Sequence, residues 1–229
     1  MIYINDLKMK YGSKDVLKGV NLTIKNGEFV GLIGRNGSGK STLVDLICQV
    51  KKAEGGSINY DFDKKRMYEH VGVQTQNAEF DTRLKVKDIC VLWQHIYPGK
   101  CEGVDELLEL LDLKEVYHQG TGTLSGGQKQ KLNILLALIH NPDLVILDEL
   151  TTGLDAISRA EVQKFLKMLN RERKKTIFMV SHYMDEVETL CDRVCALKDG
   201  VIFANGTPAE LMERFECSTM QQFAERCLV

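Results

Sequence analysis

The residues Gly34-Arg35-Asn36-Gly37-Ser38-Gly39-Lys40-Ser41 fit the spacing G-x-x-x-x-G-K-[ST]. Each residue type in that pattern has a chemical use. The glycines let the backbone turn tightly enough for successive N–H groups to point at one anion. A helix beginning at the end of the loop would add the positive end of its dipole. Lys40 brings an ammonium within reach of the β- and γ-phosphates of a nucleotide, and the Ser41 hydroxyl is a hard oxygen ligand suited to Mg²⁺. The chemistry of the loop Gly34–Thr42, from Asn36 through Thr42, is phosphate binding.

Two further groups extend that chemistry. Leu144-Val145-Ile146-Leu147 reads as a buried strand that ends in Asp148-Glu149. Neighbours on a strand point to opposite sides, so the two carboxylates can divide the work. Asp148 would help hold Mg²⁺, and Glu149 would orient and polarise an attacking water, because phosphoryl transfer needs mainly positioning and charge neutralisation. Leu124-Ser125-Gly126-Gly127-Gln128 then places paired glycines just before a helical stretch. By the same N-terminal logic it is a second anion cradle, and it is equally a simple helix cap at Ser125.

These groups need elements to position them. Ile2, Ile4 and Leu7 begin one strand, and Val16, Val20, Leu22 and Ile24 a second, which ends at the turn Lys25-Asn26-Gly27. Glu28–Ile33 is a short apolar run of the buried-strand kind that leads into the phosphate loop, and Ser41–Cys48 has helical spacing. From about Asn77 to Asn141 the pattern is mostly helical, with Leu132, Leu135, Leu136 and Ile139 on one face and Pro142 as a stop. Alternation then returns: strand Leu144–Leu147, helix Ile157–Asn170, strand Thr176–Val180, helix Met184–Cys191, and a hairpin of Val194–Leu197 with Val201–Ala204 around Lys198-Asp199-Gly200. Such alternation predicts an α/β core with a largely parallel sheet. The residues from about Cys217 onward carry no readable pattern.

Composition narrows the class. The 229 residues suit one large domain with an ample core. Thirty basic against thirty-two acidic side chains give a net charge of −2, without the basic excess of a nucleic-acid binder. No apolar run approaches the ~20 residues that span a bilayer, and Met1–Asp6 lacks the form of a secretory signal. The expectation is a cytoplasmic chain whose membrane link comes through a partner. Seven irregularly spaced cysteines read as reduced thiols.

Taken together and in order, the loop Gly34–Ser41, Leu124–Gln128, Asp148-Glu149, Thr152-Gly153-Leu154-Asp155 and Ser181-His182 resemble the ATP-binding cassette (ABC) ATPases over about residues 2–215. The resemblance implies an α/β fold: a P-loop NTPase core with a mostly parallel sheet, an N-terminal antiparallel β portion and an inserted helical sub-domain. The whole chain, 1–229, would be one ABC ATPase domain. Its core would comprise about 1–76 and 142–215, the sub-domain about 77–141, and a tail 216–229. Further roles follow from the resemblance. Tyr11 would stack on adenine, with Val16 beside the nucleotide. Gln76, favoured over Gln74, would contact Mg²⁺ and water. His182 would contact the γ-phosphate, and Asp155 would communicate across a dimer. Ser125, Gly126, Gly127 and Gln128 of one chain would close on the ATP held by Lys40 of a second ABC ATPase chain, read as an identical copy. ATP and Mg²⁺ are the implied ligands.

The implied function is that of the ATPase subunit of a transporter, dimerising head-to-tail around two ATP to drive a separate multi-span membrane permease, peripheral on the inner face of the cell membrane. Ser181–Glu186 and Gly206-Thr207-Pro208 look most like the drug, antibiotic-peptide or polysaccharide export branches, and importers often carry an added C-terminal domain. The chain departs from the family at Leu150, where proline is usual. That loosens a turn constraint and removes no catalytic group. The alternative is a soluble ABC ATPase such as an iron–sulfur assembly helper. Chromosome-maintenance types are disfavoured by the separation of about 110 residues between Lys40 and Asp148. A GTPase would carry N-K-x-D, which the sequence lacks.

Overall fold

A computed structural model describes residues 1–74, 80–101 and 103–228. In chain order the elements are β1 (Ile2–Tyr11), β2 (Lys14–Ile24), β3 (Phe29–Ile33), α1 (Lys40–Ile47), β4 (Gly55–Tyr60), α2 (Met67–His70), β5 (Val71–Gln74), α3 (Val86–Ile96), α4 (Val104–Leu110) and α5 (Gly126–Leu138). They continue with β6 (Leu144–Asp148), α6 (Ala156–Arg171), β7 (Thr176–Val180), α7 (Met184–Leu190), β8 (Arg193–Lys198), β9 (Val201–Gly206), α8 (Pro208–Arg214) and α9 (Met220–Cys227). The chain forms two compact units, Met1–Met67 with Thr176–Val229, and Tyr68–Lys175.

In the first unit β3 lies between β7 and β8, parallel to both, and β9 returns antiparallel to β8. Every residue of β3 and of β7 is buried, as expected of parallel strands covered on both faces. Phe29, Leu32, Ile33 and Phe178 are at most 1% exposed and form the centre of this core. A separate antiparallel sheet, ordered β2-β1-β4, carries the alternating pattern of a half-covered surface, with Ile2, Ile4, Leu17, Val20 and Ile24 turned inward. Both parts match the α/β reading with its N-terminal antiparallel portion.

The rim of the first unit is held by one well-formed ion pair. Arg193 donates from Nε to Glu28 Oε1 at 2.6 Å and from Nη2 to Oε2 at 2.9 Å, and the Lys25 N–H donates to Oε2 at 3.0 Å. Burial by itself would raise the Glu28 carboxyl, but the Arg193 hydrogen bond and the Lys25 amide outweigh it, and the pKa is lowered. This fork joins the strand entrances of β3 and β8.

In the second unit β5 and β6 pair in parallel, Gln74 opposite Leu147. Helix α5 packs on β5. At Gly72 a β-carbon would come within 1.8 Å of the Ala137 carbonyl oxygen, so the absence of a side chain there lets helix backbone meet strand backbone. Helix α6 presents Val162, Phe165, Leu166 and Leu169 to the interior, the face its spacing predicts.

Several elements, the one-turn α2 among them, stand beyond the sequence reading. β4 and β5 are short and weakly patterned. α8 begins with a capping box in which Glu210 N–H donates to Thr207 Oγ1 at 3.2 Å and Thr207 N–H donates to Glu210 Oε2 at 2.8 Å. α9 packs on α7 and α8 through Met220 and Phe223, both fully buried. All seven cysteines are free thiols, and burial pushes those of Cys191 and Cys195 upward.

Candidate nucleotide site

The phosphate loop leaves the C-terminal end of β3 and runs into α1. Lys40 is 6% exposed, and its Nζ donates to the carbonyls of Gly34 at 2.8 Å and Arg35 at 3.1 Å. The loop's own backbone thus fixes the ammonium in place. Gly39 stands at the helix N-cap with φ 108° and offers no side-chain cap. The first N–H groups of α1 have no intrahelical acceptor and stand at the positive end of the dipole. The Ser38 hydroxyl is buried and has no hydrogen-bond partner among the described residues. A buried orphan hydroxyl, an uncapped helix start and a fixed ammonium together fit a polyphosphate anion.

Other expected residues of the first unit lie on or near this loop. β7 and β3 run in parallel with Leu32 opposite Val180, so Ser181-His182 and the phosphate loop leave the same sheet edge, where ligands of open α/β sheets bind. His182 is exposed. The preceding Ser181 is fixed by donating to Glu186 Oε2 at 3.2 Å and accepting from Tyr183 N–H at 3.0 Å. Tyr11 ends β1 with 43% of its surface exposed. Its hydroxyl accepts from Lys51 Nζ at 2.8 Å. Hydrogen bonds from Lys51 and then with Thr42 hold its phenol below the ordinary value. Tyr11 is therefore wired to the last residue of the phosphate loop. Lys51 in turn pairs with Asp45 of α1 at 2.8 Å.

Beside the loop lies a cleft of about 470 Å³ lined by Lys14, Val16, Asn36, Ser38, Lys198 and Leu228. Leu228 was invisible as a site residue in the sequence. The Lys198 Nζ donates to the Cys227 carbonyl at 2.9 Å and holds the end of α9 at this cleft.

In the second unit β6 ends at Asp148, and Glu149 follows it. The Asp148 N–H donates to Gln74 Oε1 at 3.1 Å, which fixes the strand end and engages the buried Gln74. Glu149 has φ 51°, a left-handed conformation uncommon for a non-glycine residue and costly to hold. Gln76 lies outside the described residues. Ser125 caps α5: its Oγ accepts from Gln128 N–H at 3.2 Å while its own N–H donates to Gln128 Oε1 at 2.9 Å. Cap and cradle, the two readings of this motif, are thus compatible. The N–H groups of Gly126 and Gly127, in the first turn, are of the kind that no intrahelical carbonyl satisfies. Asp155 caps α6, with Oδ1 accepting from Ile157 and Ser158 N–H, both at 3.0 Å, and Oδ2 from Ser158 Oγ at 2.7 Å. These bonds hold its carboxyl below the usual range, those from Ser158 foremost.

Among the described residues no group of three or more His, Cys, Asp or Glu could hold a metal by itself. Ser41 in the first unit and Asp148 in the second each carry an oxygen of the kind Mg²⁺ takes.

Residues 17–152 match the family profile described as "ABC transporter". The linearmycin resistance ATP-binding protein LnrL of Bacillus subtilis is 34% identical over 97% of this chain and 74% of its own length. The aliphatic sulfonates import ATP-binding protein SsuB of Pseudomonas entomophila is 34% identical over 86% of this chain and 73% of its own. Among solved structures, the dimeric post-hydrolysis state of the ATP-binding cassette MJ0796 bound to ADP and Pi superposes with a TM-score of 0.78 at 28% identity, covering 90% of this chain and 98% of that one.

Proposed function

This chain belongs to the ABC transporter family as an ATP-binding, ATP-hydrolysing subunit, and from that premise we propose that it powers export through a separate multi-span permease. The observation that carries the nucleotide part is the uncapped start of α1 with the Lys40 ammonium fixed beside it. Lys40 and the N–H groups of Asn36–Thr42 would neutralise the phosphates. Ser41 and Asp148 would hold Mg²⁺, which when bound screens the charge on the phosphate oxygens. Glu149 would polarise the attacking water, with Gln76 and His182 at the water and the γ-phosphate. Tyr11 and Val16 would hold the base side of ATP. The engagement of Gln74 with Asp148 supports assigning the water-sensing role to Gln76.

Two copies would close head-to-tail, Ser125–Gln128 of each on the γ-phosphate held by the other, with Asp155 at the seam. Residues of about 77–141 would form the helical sub-domain that docks on the permease. No helix among the described residues is long and apolar enough to cross a membrane, and the permease would bring the chain to the inner face of the cell membrane. Export is favoured by the segments Ser181–Glu186 and Gly206–Pro208, and by a likeness to the linearmycin resistance protein that extends over more of this chain than the likeness to the sulfonate importer.

The test is a pair of variants in purified protein. Glu149→Gln should lower ATP turnover by about 10²–10⁴-fold and keep ATP affinity, whereas Lys40→Ala should lose both. Unchanged turnover in Glu149→Gln would overturn the role of Glu149. Recovery of the tagged chain from membranes without a multi-span partner would overturn the transport reading.

A further inference from the structure

The segment from Glu149 to Asp155 carries the strained glutamate at one end and the α6 cap at the other. Thr152 N–H donates to the Glu149 carbonyl at 3.2 Å, closing a turn whose first residue sits at φ 51°. Position 150, at the next step of that turn, is leucine, which leaves φ free where a proline ring would fix it. A non-glycine residue persists in the left-handed region only when its surroundings over-determine it. The restraint therefore has to come from outside the turn.

Helix α5 supplies it. The Gln130 side chain donates from Nε2 to the Leu150 carbonyl oxygen. Its Oε1 accepts from Asn133 Nδ2 at 3.3 Å, and Asn133 is 7% exposed. This pairing sets the orientation of the Gln130 amide: a flip would turn Oε1 against the Leu150 carbonyl and the amide protons against those of Asn133. Helix α6, which follows the segment, meets the same helix at a second point. Ser158, held by Asp155, places its Oγ 3.0 Å from where a β-carbon of Gly127 would stand. Gln130 is two residues beyond Gln128, which closes the capping box with Ser125. The turn that carries Glu149 and the motif Ser125–Gln128 thus share one rigid support.

We propose that Gln130 is a positioning residue for hydrolysis: its hydrogen bond to the Leu150 carbonyl holds the turn that aims Glu149, and links that turn to the Ser125–Gln128 cradle on the same helix. The proposal rests on the reading of Glu149 as the water-orienting carboxylate. It concerns turnover and not nucleotide affinity, because the bond restrains the turn and not the phosphate loop.

The experiment uses the purified full chain with Mg-ATP. Gln130→Met keeps length and removes the donor, Gln130→Lys restores a donor of similar reach, and Glu149→Gln is measured beside them. Loss of one such bond should lower kcat about tenfold, with KM within about twofold. Amide hydrogen exchange in the segment 149–154 should quicken by a similar factor, with α6 unchanged. Gln130→Lys should recover most of both. If Glu149→Gln is inactive while Gln130→Met matches the wild type in turnover and exchange, the proposal fails and the reading of Glu149 stands. If Glu149→Gln turns over normally, the reading of Glu149 fails first. Should Gln130→Met not fold, Asn133→Ala, which frees the Gln130 amide to rotate, must still quicken exchange at 149–154; no change there would overturn the proposal.

Discussion

Two helix starts in this molecule carry glycine-rich motifs, and they end in opposite ways. α1 begins at Gly39, without a side-chain cap, beside a buried ammonium and an orphan hydroxyl. α5 begins at Ser125, with a complete capping box that satisfies the Gln128 N–H from within. The first start has no side-chain cap and should bind phosphate in an isolated chain. The second is capped from within and bears no charged side chain in its motif. It should add little affinity alone and act on a phosphate already presented by another chain. That asymmetry is what a shared site would require: one half would capture ATP, and the other would sense it.

The sharpest way to break the contrast is at Gly39. A side chain there would face φ 108°, with a β-carbon 2.8 Å from Leu17 Cδ2 and 3.1 Å from the Val16 carbonyl. Gly39→Ala should cost about 1–3 kcal/mol of stability and weaken ATP affinity more than tenfold, read by titration calorimetry. Ser125→Ala is the smaller counterpart. It removes a cap worth about 1 kcal/mol, and should slow steady-state turnover while leaving the ATP affinity of the isolated chain within about twofold. Equal losses of affinity in both variants would erase the distinction between the two starts.

The smallest effect belongs to the scaffold. Glu28 has a folded pKa below its ordinary 4.5, so its contribution is present above that value and is lost as pH falls through the lower folded value. Glu28→Gln should lower Tm near neutrality. The gap to the wild type should narrow as pH falls below about 4.5, as thermal melts at a series of pH values would show. A gap constant down to the lowest pH would remove the Glu28–Arg193 fork as its cause.

Much of this was legible in the sequence. The buried runs Phe29–Ile33, Leu144–Leu147 and Thr176–Val180 read as parallel strands because burial on both faces erases alternation, and the motifs sit where those strands end. β4 and β5 were unreadable, being short and containing Gly55, Gly56 and Gly72, whose roles depend on what approaches them. α8 was hidden behind Gly206-Thr207-Pro208, read as a family feature although Thr207 and Glu210 form a capping box. α9 and Leu228 gave no signal, because their contacts at Glu188, Lys198 and the cleft beside the phosphate loop are distant in sequence. The bond from Gln130 to Leu150 is of the same kind: a side chain on one helix meeting a main-chain carbonyl twenty positions away.

The central claim is that the start of α5 completes the site of a second chain. It is tested most directly by light scattering of Glu149→Gln during size exclusion, with and without ATP. The account predicts a monomer without nucleotide, a dimer with ATP, and return to monomer when Ser125→Ala and Gly127→Ala are added. A Glu149→Gln chain that binds ATP stoichiometrically and stays monomeric at high protein concentration would contradict it.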